Sequence, residues 1–175
     1  PKPQNPTKRK IHILKSIIDF IWIVTAPIGI PLILICIPAL FFYDFTGLNI
    51  KIQGINLATE GLYSKILIAI ALSNYLLLMY SLYLFRKSLR YFLSAKIFDV
   101  YIIHSFRKIG NAIVLSGIVS LVISIVGQIH FKQEISLEFG LNTHLTLVCL
   151  GLFFMVLSEV FKIAKTAKQE NDLTI

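Results

Sequence analysis

The sequence predicts an all-α membrane protein, a four-transmembrane-helix bundle with two short strands in its outer loops. Three observations carry that expectation. Hydrophobic residues make up 56% of the 175 residues and the mean hydropathy is +0.77, whereas soluble domains run at roughly 45–50% apolar even with glycine counted in. Four apolar runs, at about 17–42, 66–85, 112–131 and 145–161, are each of a length that suits a membrane span. Lys and Arg gather in alternate connections between those runs. Four spans and their loops use the whole length, so one membrane domain covering 1–175 is expected.

The first ten residues are polar, proline-rich and basic and read as a tail. An opening at Pro1 is what removal of an initiator methionine, or trimming, would leave. The run 17–42 would be about 39 Å long as a helix, more than the hydrocarbon core of about 30 Å, so it spans with tilt. No small-residue cleavage pattern follows it, and an uncleaved anchor is expected. Pro27, Pro31 and Pro38 each remove a backbone donor and crowd the preceding turn, which predicts a kinked helix. The runs 66–85, 112–131 and 145–161 carry no charge at their centres, and the last is near the lower limit for a span.

Orientation follows from the basic residues. Fourteen of the seventeen Lys and Arg lie in the N-terminal tail, the segment between the second and third runs, and the C-terminal tail. Only Lys51, Lys65 and Lys132 fall in the other two loops. The positive-inside bias therefore places both termini and the central loop in the cytoplasm, N-in and C-in. The net charge of +8 has the same origin. It marks contact with the lipid bilayer, not direct binding of nucleic acid.

Each outer loop contains an alternating stretch. Leu48, Ile50 and Ile52 alternate with polar residues in the first, and Ile135, Leu137 and Phe139 do so in the second. That period marks half-buried strands, expected to pair with Lys51 opposite Glu134 or Glu138. The central segment reads as helix, break, helix. The second helix runs beyond the membrane surface, and Asp99 caps a new helix leading into the third span.

No catalytic, cofactor or metal motif is present, so an enzyme is not expected. H-E-x-x-H, G-x-S-x-G and the P-loop are absent. His12, His104, His130 and His144 lie at span ends or in loops, not in the facing pairs a membrane haem needs. Cys36 and Cys149 sit in apolar runs without the spacing of a zinc site. The candidate intramembrane polar residues are Asp19, Asn74 and Glu159. The two acids lie near the interface, where Lys15, Lys162 or Arg107 are potential partners, and a buried Asn74 requires hydrogen bonds. Ala112, Ser116, Ser120 and Ser124 recur at intervals of four, a stripe suited to close helix packing or to a homodimer through the third helix.

Two cytoplasmic motifs suggest a family. The ending Leu157-Ser-Glu159-Val-Phe161 through Glu170-Asn171-Asp172-Leu173-Thr174-Ile175 resembles that of the bacterial domain-of-unknown-function family 2975. Its members close the last helix with Glu-x-Val-Phe and finish with an acidic pair, Asp-Leu-Thr and an aliphatic residue. The stretch from Lys96-Ile-Phe98-Asp to Phe106-Arg107-Lys108-Ile109-Gly110 is similar to the family's central motif, and the four-helix layout also matches. Ala95 and Ile163 stand where members often have Gly, and Ile102 where they often have Asn. Relatives are often encoded beside a small helix-turn-helix regulator of the Cro/C1 type. The resemblance therefore implies a bacterial inner-membrane protein that tethers or controls such a regulator. Its expected docking or clasp surface comprises Phe98, Arg107, Lys108, Gly110, Glu170, Asp172, Leu173 and Ile175. The alternative is a small transporter or permeation component, with a polar pocket lined by Pro27, Pro31 and Asn74.

Overall fold

A computed structural model describes residues 6–43, 49–52, 55–58, 61–94, 99–132 and 142–172. In chain order the elements are α1 (Pro6–Phe42), β1 (Asn49–Ile52), β2 (Ile55–Ala58), α2 (Leu62–Leu93), α3 (Val100–Gly127), a π-helical turn (Gln128–Lys132) and α4 (Thr143–Asp172). Four helical segments, Arg9–Phe42, Leu62–Leu93, Val100–Phe131 and Thr143–Asp172, are long and apolar enough to cross a bilayer. This architecture fits an integral, multi-pass membrane protein.

Local chemistry sets the helix ends. Asp99 accepts a hydrogen bond from the Tyr101 backbone N–H at 2.8 Å, capping α3 at its predicted start. Asn142 does the same for α4, its Oδ1 accepting from Leu145 N–H at 3.0 Å. At the end of α2, Ser94 returns both its backbone N–H and its hydroxyl to the Arg90 carbonyl. α1 continues through all three prolines. Pro27, Pro31 and Pro38 all lie on its exposed side, turned away from α2.

The helices stand as a row, neighbours in space as in sequence: α1 on α2, α2 on α3, α3 on α4. α3 is the most buried and α1 and α4 form the flanks. Antiparallel neighbours bring the start of α1, the end of α2, the start of α3 and the end of α4 to one end of the molecule. Arg9, Lys10, Lys15, Arg86, Lys87, Arg90, Arg107, Lys108, Lys162, Lys165 and Lys168 cluster toward that basic end. β1, β2 and the π-helical turn occupy the opposite, hairpin end.

The two predicted strands, one per outer loop, are corrected in part. β1 forms where alternation predicts it, but its partner is β2 of the same loop. The register sets Lys51 opposite Asn56 and Ile52 opposite Ile55. Pairing within one short connection closes a far smaller loop than pairing across two helices, so the hairpin is entropically favoured. The second expected strand, Ile135 to Phe139, lies outside the described residues, as do Glu134 and Glu138.

Two apolar cores hold the row together. At the hairpin end Leu40, Leu67, Ile68 and Ile123 pack together, with Ile50 and Ile52 of β1 and Phe131 laid over them. Toward the basic end Leu84, Ile102, Phe106, Ile109 and Ile113 form a second cluster. Around it is an aromatic shell. Phe106 meets Phe92, Phe154 and Phe161 at ring-centroid distances of 6.0, 5.7 and 5.5 Å, so three helices share one aromatic contact.

Candidate functional site

The register between α3 and α4 follows from three contacts. Ser158 Oγ donates to the Ile103 carbonyl at 2.8 Å. Gly110 and Gly151 lie back to back, and Gly117 faces the His144 carbonyl. A Cβ on Gly110 would sit 2.7 Å from the Gly151 carbonyl oxygen, and one on Gly151 would sit 2.7 Å from the Val114 backbone nitrogen. Glycine is required at both positions because the helix backbones approach too closely for a side chain.

That register decides which of the sequence-predicted residues meet. Arg107 lies level with Phe154, so Glu170, sixteen residues further along α4, stands about 24 Å beyond it along the helix axis. Arg107 and Lys108 are exposed on α3, whereas Glu170 and Asp172 are exposed at the far end of α4. Glu170 and Asp172 therefore stand far along α4 from the level of Arg107 and Lys108. Gly110 is buried in the α3–α4 contact and presents nothing to a partner. Phe98, Leu173 and Ile175 lie outside the described residues.

As a helix, α4 runs on to Asp172, beyond Phe161, the predicted end of its apolar span. Phe161 is level with Val100, where α3 begins, so residues 162–172 project about 16 Å beyond α3 as helix. Lys162, Ile163, Thr166, Ala167 and Glu170 are exposed on this projection. Sequence reasoning stopped the span at Phe161 because hydropathy falls there, although helix propensity does not.

The intramembrane polar candidates are each engaged. Asp19 is held between two cations. Lys15 Nζ donates to its Oδ2 at 2.6 Å, one helical turn away, and Arg86 Nε of α2 donates to its Oδ1. The Arg86 partner was missed in sequence, since it depends on how α1 and α2 align. Beside it Trp22 packs on Tyr83 with ring centroids 5.6 Å apart, so an ion pair and an aromatic pair tie the basic ends of α1 and α2 together. Glu159 faces Lys162 at 3.8 Å with both side chains more than half exposed, a pair worth little in stability. Asn74 Nδ2 donates to the Ser116 carbonyl of α3 at 3.2 Å. The small-residue stripe is thus turned inward: Ser116 and Ser120 are buried within the chain.

Lys87 Nζ lies 4.7 Å from the centroid of the Tyr101 ring, which stacks on Tyr91 at 4.6 Å. This cation–π group fixes the end of α2 against the start of α3. Cys36 and Cys149 are both free thiols. No group of three or more metal-ligating side chains occurs among the described residues.

A cavity of about 660 Å³ lies between α1 and α2 beneath β1. Gly29, Ile33, Cys36, Ile68 and Ala71 line it, with Tyr75 at one end. It opens from the side of α1 opposite the prolines, and Asn74 does not reach it. Pro27, Pro31 and Asn74 are not part of this cavity's lining.

The motifs that carry the family resemblance acquire a physical meaning here. Phe106, Ile109 and Gly110 of the central motif and Phe161 of the terminal one are all packing residues of the α2–α3–α4 core. Ser158, next to Glu159, makes the cross-helix hydrogen bond. No curated protein and no solved structure matches the chain. The family model described as a protein of unknown function (DUF2975) matches residues 25–175, from the middle of α1 through α4, and the chain belongs to that family.

Proposed function

We propose that this chain is a four-span protein of the bacterial cytoplasmic membrane that holds a small cytoplasmic helix-turn-helix regulator on the projecting end of α4. The observation carrying this reading is the 162–172 segment, a helix that outruns its neighbour α3 and exposes Lys162, Ile163, Thr166, Ala167 and Glu170. A helix that ended with its span would need none of these turns. The clustering of basic side chains at that end supports a cytoplasmic placement by the positive-inside bias. It also supports N-in, C-in topology, with the hairpin on the outer surface. Arg107 and Lys108, lower on α3, serve as contacts to anionic headgroups. The Asp19 ion pairs and the buried aromatic shell keep the platform rigid while the projection reads out to a partner.

A photoreactive side chain at Ala167, irradiated in native membranes, tests this. Capture of a small soluble protein with a helix-turn-helix sequence supports the reading, and release of that protein when residues 166–175 are deleted strengthens it. Crosslinks confined to this chain and to lipid would overturn it. The apolar lining of the α1–α2 cavity gives no support to a pathway for polar solutes, so the transporter alternative is not pursued.

A further inference from the structure

We propose that the cavity between α1, α2 and the hairpin is a binding site for one acyl chain of a membrane phospholipid in the hairpin-side leaflet. The proposal rests on the membrane placement of the helices and is independent of the regulator.

Length is the first support. The cavity lining runs along α1 from Gly29 to Leu40, about 16 Å of helix, which is half of a hydrocarbon core of about 30 Å and so one leaflet deep. Size is the second. Its volume of about 660 Å³ falls within the roughly 300–1,000 Å³ typical of built ligand sites. Chemistry is the third. Ile33, Cys36, Leu40, Ile68, Ala71 and Leu72 offer apolar walls from both helices, which suits hydrocarbon and rejects a polar solute.

The ends of the cavity are also defined. At its deep end the Tyr75 side chain lies beside Gly29, 3.6 Å from where a Cβ would be, and lines the cavity there. At its shallow end the strand period of β1 turns Ile50 and Ile52 into the cavity and sets Lys51, which is exposed, on the opposite face. Lys51 thus puts a cation at the hairpin end of the slot, across β1 from it, the end at which the phosphate of a lipid in this leaflet would lie. The three prolines leave the opposite face of α1 to bulk lipid, so the slot is distinct from the general lipid-exposed surface.

The test uses purified full-length protein in vesicles of phosphatidylethanolamine and phosphatidylglycerol, the latter carrying a diazirine in one acyl chain. After irradiation, crosslinked peptides are quantified by mass spectrometry. The exposed face of α4 at Phe153 and Val156 is the internal reference for ordinary lipid contact. Labelling around Ile33, Cys36 and Leu40 should exceed that reference. In Ala71→Phe it should fall by about tenfold or more, the factor expected when extra carbons overfill a packed site, with α4 labelling unchanged. Ala39→Phe, on the opposite wall, should do the same. Cavity labelling no higher than the reference, or unaltered in both variants, would overturn the proposal. Absence of labelling on α4 as well would overturn the membrane placement on which it rests.

Discussion

Replacing Gly151 by alanine adds a single methyl group at the tightest point of the molecule. The new Cβ would lie 2.6 Å from Val114 Cγ2, 2.7 Å from the Val114 backbone nitrogen and 2.8 Å from the Gly110 carbonyl oxygen. Two of those three atoms are backbone, so no rotamer change relieves the contact and α3 and α4 must move apart. A gap of 0.5–1 Å forfeits about a quarter to a half of each van der Waals contact along the seam, and overpacking of this kind costs about 1–3 kcal/mol. Against this, alanine gains about 1 kcal/mol over glycine in helix propensity. The net expectation is a loss of up to about 2 kcal/mol, which for a chain of this size is roughly 2–4 °C in Tm per kcal/mol. Gly29→Ala is the matched control. Its Cβ would meet only the Tyr75 ring, at 3.6 Å and 3.7 Å, an ordinary contact, so it keeps the propensity gain and should be neutral or slightly stabilising. The assay is thermal unfolding in detergent, followed by circular dichroism, for the two variants side by side. Gly151→Ala as stable as Gly29→Ala would refute the close α3–α4 approach.

Other expectations follow from single contacts. Asp19→Asn leaves Lys15 and Arg86 without their shared acid; with side chains about one-fifth exposed, the loss should fall between exposed and buried pairs, about 2 kcal/mol. A double-mutant cycle with Arg86→Gln should recover part of it, and additivity would contradict the pair. Ser158→Ala removes the bond to the Ile103 carbonyl and should cost about 0.6 kcal/mol, typical of hydrogen bonds between membrane helices, measured by the same unfolding assay. Phe106→Ala empties the centre of the aromatic shell and should cost about 3–5 kcal/mol, enough to lower the yield of folded protein in membranes, whereas Phe106→Leu should be tolerated far better.

Hydropathy and charge made the long-range plan legible: four spans, a break in the central segment and the Asp99 cap are local properties of the chain. What escaped was whatever depends on alignment between helices. Arg86 is sixty-seven positions from Asp19, and no spacing rule connects them. The serine stripe drew attention to the α2-facing side of α3, while the closer approach lies on its other side, at Gly110 and Gly117. Those two glycines are one heptad apart, a signal that was present, but Gly151 stands alone in α4 and gives no pattern. In the first outer loop, alternation resumes at Ile55 and Leu57 after Gly54, which is the hairpin's own signature. The docking candidates on α3 were chosen from a motif whose Phe106, Ile109 and Gly110 serve the core, so those three positions are accounted for by packing.

The central claim, a four-span chain with its basic end in the cytoplasm and its hairpin outside, is tested most directly by cysteine accessibility in intact cells. Single cysteines at Lys51→Cys in β1 and Ala167→Cys on the α4 projection, each in a Cys36→Ser, Cys149→Ser background, are exposed to a membrane-impermeant maleimide. The account predicts that position 51 reacts at once and position 167 only after permeabilisation. Reaction of position 167 in intact cells, or equal reactivity of both, would contradict it.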